Sequence, residues 1–206
     1  MLRPQDCIIA FAIPISLKEY DAYPQDTEGT LFLNKHLVSE LKYYYDTVKV
    51  AERNIKAFRS LGVRVLESVT SRQFIETCTT NQNKLIILFA HWCNDSVEFS
   101  DGFCPIQTII DQFPGDFSGY LDLNVCHPDN LVDILNTKAR NAIIKFESRK
   151  NATPSFWLQF YLIFFKVLEN TENYLEAYSN SIAMMGSNLK ASIKRSRNYG
   201  NSAQDI

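Results

Sequence analysis

"KLIILFAHWCNDSVEFSDGF", Lys84 to Phe103, holds the information on which the fold turns. Lys84 to Ala90 is a nearly unbroken apolar run, too short for a helix and flanked by polar residues. A strand buried on both faces reads this way, and such strands belong to parallel sheets covered by helices. The run stops on His91, and an acidic, hairpin-like segment follows. A buried strand has no need of an imidazole at its exit, so His91 asks for a partner elsewhere in the chain.

Working outward, the same strand-then-helix alternation recurs. "CIIAFAIPI" (Cys7 to Ile15) is a first strand. Leu37, Leu41, Tyr44, Val48, Ala51, Ile55 and Phe58 recur every three or four residues, the stripe of one long amphipathic helix or of two with a break. "LGVRVLES" (Leu61 to Ser68) is strand-like, with Gly62 in the turn before it. "TSRQFIETCTT" is a short helix capped at Thr70 or Ser71. After the third strand, "CPIQTIIDQF" supplies a helix with Pro105 in its first turn, and "SGYLDLNVC" (Ser118 to Cys126) a fourth strand. "DNLVDILNTKA" is a helix capped by Asp129 or Asn130, and "NAIIKFES" a fifth strand. Two helices close the pattern, Pro154 to Leu168 and Asn173 to about Leu189. Repeated strand-helix-strand units predict an α/β fold: a three-layer αβα sandwich with a mostly parallel sheet. Ligands and chemistry in such folds collect at the carboxyl ends of the strands.

Bulk properties bound the function. The chain has 206 residues, 46% of them hydrophobic and 13% aromatic, and a formal net charge of -2. That balance argues against a nucleic-acid binder. The basic stretch "KASIKRSRNYGNSAQDI" reads as a flexible C-terminal tail from about residue 190 on an otherwise single domain. "FWLQFYLIFFKVL" contains Gln159 and Lys166 and falls short of the ~20 apolar residues of a membrane span. The start of the chain lacks the pattern of an export signal. Five cysteines without a CxxC pair suggest reduced thiols and a cytoplasmic location.

His91 follows the third strand and Cys126 ends the fourth. Consecutive parallel strands are usually neighbours, ~4.8 Å apart. An imidazole and a thiol would then share one edge of the sheet, where a histidine can take up a thiol proton and later protonate a leaving amine. A rival grouping, His91, Cys93, Cys104, Cys126 and His127 as zinc ligands, lacks the close ligand pairs of ordinary zinc sites.

Here the sequence resembles a family. "LIILFAHW…DSVEFSDG" followed by "GYLDLNVCHP" looks like the core of the caspase-like (clan CD) cysteine peptidases, and most of all their CHAT-domain type. The likeness extends to an aromatic helix and an "EAY" helix (Glu176 to Tyr178) after the cysteine strand. It implies a cysteine endopeptidase with His91 and Cys126 as catalytic dyad and the backbone amides of Trp92 and Cys126 as oxyanion donors. No cofactor is implied. Partners would be a protein substrate and a protein regulator or partner subunit, in prokaryotes often within a defence or cell-death system. Asp95 and Asp101, with Glu98, flank the site and could shape a pocket for a basic residue, although such residues more often cap turns. The chain departs from the family at two points. Trp92 stands where glycine usually follows the histidine, and His127-Pro128 follow the cysteine, with Pro128 removing an amide. These departures motivate a second reading, a caspase-like module without catalysis that serves as an interaction partner or scaffold.

Overall fold

The computed structural model describes residues 1–16, 18–19, 38–93, 95–125, 128–146 and 154–186, with the backbone alone for 38–47, Cys93, Phe146 and Pro154. Cys126, His127, His36 and the tail from about 190 lie outside these residues.

Five strands form a parallel sheet: β1 (Cys7–Phe11), β2 (Arg64–Leu66), β3 (Leu85–Phe89), β7 (Tyr120–Asn124) and β8 (Ile143–Phe146), in the spatial order β2-β1-β3-β7-β8. The strands are apolar on alternating sides, and each side has its own core. Ile8, Ala10, Ile86, Leu88, Leu121 and Leu123 face α2 (Ser71–Thr80), α3 (Ile106–Gln112) and α4 (Asp129–Lys138). Cys7, Ile9, Phe11, Leu85, Ile87 and Phe89 face α1 (Val38–Ser60), α5 (Pro154–Thr171) and α6 (174–186). Helices therefore cover the sheet on both faces, as βαβ crossovers require. None of the helices among the described residues is long and apolar enough to cross a membrane.

Local chemistry accounts for most boundaries. α1 runs unbroken for 23 residues. Gly62 ends it in the left-handed region (φ 84°), with its N–H donating to Arg59 O and that of Val63 to Phe58 O. α2 starts on a capping box: Thr70 Oγ1 accepts from Gln73 N, and Gln73 Oε1 accepts from Thr70 N, both at 3.1 Å. Two expected helix starts need correction. Pro105 is the N-cap of α3 and the last residue of a strand, so the helix begins one residue later. α4 begins at Asp129 with Pro128 at the N-cap, and no side chain caps it. Gly119 sits where β7 enters the sheet, and a Cβ there would lie 2.1 Å from Lys84 O. Only glycine lets Tyr120 N reach that carbonyl at 2.9 Å and start the β3–β7 ladder in register.

Between β3 and α3 the chain forms a second, antiparallel sheet of three short strands: β4 (His91–Cys93), β5 (Ser96–Phe99) and β6 (Gly102–Pro105). This sheet is pinned to the carboxyl rim of the large one. Ser100 N donates to Val69 O, Ser100 Oγ to Ser68 O, and the Phe99 ring packs 5.7 Å from Phe74 of α2.

Candidate functional site

β3 and β7 pair in parallel through Phe89↔Asn124, and Ala90 N extends the ladder to Asn124 O. The chain then turns directly into β4, so His91 stands at the carboxyl rim of the sheet, half-buried. β4 and β5 are antiparallel with His91↔Glu98, Trp92↔Val97 and Cys93↔Ser96. Directly paired residues share a face, and neighbours along a strand alternate. Trp92 packs with Val97 against the α2–α4 core. His91 and the buried Glu98 therefore share the opposite face of the hairpin.

Burial lowers the His91 pKa below its ordinary 6.5, and the negative charge of Glu98 offsets part of that. That direction favours the uncharged ring, the form that accepts a proton. The described cysteines offer a contrast. Cys7, Cys78 and Cys104 are all buried, and burial, the largest cause for each, raises their thiol pKa values. They are inert packing groups. Cys126 and His127 lie outside the described residues, as does the side chain of Cys93. Among the described residues no three His, Cys, Asp or Glu side chains gather as a metal site would require.

The two flanking aspartates occupy turns. Asp95 is exposed in the left-handed region (φ 54°) between β4 and β5, and its carbonyl accepts from Ile106 N. Asp101 accepts from Ser71 N at 2.9 Å and Ser71 Oγ at 3.0 Å. A carboxylate at the N-terminus of α2 is favoured by the helix dipole. The hairpin brings neither aspartate into register with His91.

A second polar cluster went unnoticed in the sequence. Asp122, in the middle of β7, has no solvent exposure. Tyr174 Oη donates to its Oδ1 at 2.8 Å, Tyr161 Oη to its Oδ2 at 3.0 Å, and Lys145 Nζ lies 3.2 Å from Oδ2. Lys145 comes from β8, opposite Asp122 in the ladder, and its ammonium sits 4.0 Å from the Tyr178 ring centroid. Burial, ahead of the Asp122 charge, raises the Tyr174 pKa, so this phenol is a committed donor. Asn124 Nδ2 donates to Tyr161 Oη at 3.3 Å, tying the end of β7 to the same network. The available signal was one aspartate and one lysine, each alone inside an otherwise apolar strand. Unpaired, each would be prohibitively costly to bury.

Compared with protein-family models and with curated proteins, the sequence matches none.

Proposed function

We propose that this chain is a caspase-like cysteine endopeptidase of the CHAT type, a three-layer αβα sandwich whose dyad is His91 and Cys126. One observation carries the reading. Phe89 and Asn124 are partners at the ends of adjacent parallel strands, and His91 and Cys126 each follow by two residues. Two further facts support it. Burial lowers the His91 pKa, which favours the uncharged ring that a general base must be. The Trp92 ring, the main departure from the family pattern, packs toward the α2–α4 core, on the side of β4 away from His91.

In this mechanism the imidazole of His91 removes the Cys126 thiol proton as the sulfur attacks the scissile carbonyl. The amides of Trp92 and Cys126 receive the developing oxyanion. The imidazolium then protonates the leaving amine, and water hydrolyses the thioester, again with His91 as base. The natural substrate is a protein, and a partner or a processing step restrains the activity.

Cysteine-selective alkylation tests the reading directly. With iodoacetamide at pH 7, Cys126 is expected to react at least tenfold faster than Cys7, Cys78 or Cys104, and His91→Ala is expected to remove that advantage. A peptide-library digest with Cys126→Ala as control then reports the cleavage preference. Equal alkylation of all the cysteines would leave the non-catalytic interaction module as the better account.

A further inference from the structure

β2 is an outer strand of the parallel sheet, paired on one side with β1 and, among the described residues, with nothing on the other. An outer strand presents unpaired N–H and C=O groups along its free side. A cavity of about 480 Å³ lies there, bounded by Arg59 at the end of α1, by β2, and by Gln73, Glu76, Thr77 and Thr80 of α2. Val65 packs on the core between the sheet and α1, and Leu66 on the core of the opposite face. Both line the cavity, which therefore follows the edge of the strand rather than one face of the sheet. Thr77 and Thr80 donate back to the α2 carbonyls of Gln73 and Glu76.

The charges around this groove do not cancel. Arg59 is paired with Glu67, and Glu76 with Arg72 at 2.8 Å. Arg64, exposed at the start of β2, makes no ion pair among the described residues. Next to it, α1 exposes Lys49, Arg53 and Lys56 against Glu52 alone, and their spacing of four and three residues sets the cations in one row on the helix surface. The whole chain carries a formal charge of -2, so this excess of cations is local.

We propose that the groove beside β2 is a docking site for an extended, acidic peptide segment of a partner protein, which adds to β2 as a further strand and sets a carboxylate against Arg64. Main-chain hydrogen bonds to the free edge supply affinity in this mode, and side chains on either side of the edge select the guest. The basic row of α1 adds electrostatic steering toward negative charge. A nucleic acid is the poorer fit: it asks for a run of cations against successive phosphates, whereas the groove itself offers one unpaired guanidinium beside an open main-chain edge. The inference does not rest on the peptidase reading, because β1 separates this groove from β3 and the His91 rim.

The experiment is an amide NMR titration of the full chain with three capped hexapeptides: alternating Glu and Val, alternating Lys and Val, and the Glu–Val peptide with its backbone amides N-methylated. Only the unmodified Glu–Val peptide is expected to shift the amide signals of Arg64–Leu66 and of the α2 wall. Its Kd is expected to rise about tenfold or more in Arg64→Glu, as loss of a charge-assisted contact implies, and to rise with added salt. Cys126→Ala is expected to bind the peptide as the wild-type chain does, which keeps this result separate from the peptidase reading. Three outcomes overturn the proposal: β2 amides that do not move, equal binding of the lysine or N-methylated peptide, or tighter binding of oligothymidylate at the same amides. The comparison of probes on the wild-type chain decides even where a variant does not fold.

Discussion

Two pairs of ionisable residues stand opposite each other in strand ladders of this molecule, and they are built differently. Asp122–Lys145 lies within the parallel sheet, where the carboxylate is enclosed and receives two phenol donors as well as the ammonium. His91 and Glu98 lie just past the sheet, opposite each other in the β4–β5 ladder, His91 half-buried and Glu98 buried. In the first pair groups from β8, α5 and α6 contact both carboxylate oxygens, so the network ties those elements to β7 in the interior of the fold. In the second, an ionisable residue at the sheet rim is only half-buried. A fully satisfied buried charge specifies packing, whereas a partly exposed one with a shifted pKa can do chemistry.

The largest expected effect comes from breaking the enclosed pair. Asp122→Ala leaves Lys145 and two tyrosine hydroxyls without their acceptor and is expected to cost about 3–5 kcal/mol, read as a fall in the urea midpoint at unchanged slope. Replacing both charges together, Asp122→Leu with Lys145→Met, is expected to recover much of that loss. A double variant no better than the single one would mean that the phenols, rather than the ion pair, dominate the site. Next in size is Tyr174→Phe, which removes the 2.8 Å hydrogen bond to Oδ1 while keeping the ring stack on Tyr120. A hydrogen bond to a charged group suggests a loss of about 1.5–3 kcal/mol.

The smallest stability effect belongs to the rim. The folded His91 pKa lies below the unfolded value of 6.5, so the unfolded chain binds the proton more readily. This group's contribution is therefore complete above about pH 6.5 and is lost as the pH falls through the window below it. Denaturant unfolding as a function of pH should show that acid-side loss in the wild-type chain and less of it in His91→Gln. If the two curves run parallel, His91 is not the group that is desolvated, and the contrast between the two sites weakens.

Much of this was legible in the chain, and the boundary between what was and what was not is physical. Short apolar runs alternating with helical stripes imply a helix-covered parallel sheet, because only that arrangement buries a strand on both faces. A cap at Thr70 or Ser71, the turn at Gly62 and the neighbouring positions of the third and fourth strands followed from the same local rules. Local pattern was less reliable where the backbone conformation of one residue decides an end. Pro105, expected in the first turn of α3, is its N-cap, and Pro128 takes the N-cap position of α4 expected for Asp129 or Asn130, since proline's fixed φ serves an N-cap as well as a first turn.

His91 was visible because a polar residue at the end of an apolar run breaks a pattern. Its pairing with Glu98 was not, since cross-strand neighbours depend on which residues form the turn, and a one-residue slip would put Glu98 on the other face. Asp122 and Lys145 were passed over for a related reason. Each looks like a defect in its own strand, and only the parallel register of β7 with β8, together with tyrosines arriving from 39 and 52 residues beyond Asp122, makes them one structure. Composition and periodicity determined the architecture, because burial acts on each segment separately. Which charges meet was decided by tertiary structure, because electrostatic and hydrogen-bond partners are chosen in space, by ladders and helix docking that a linear pattern does not record.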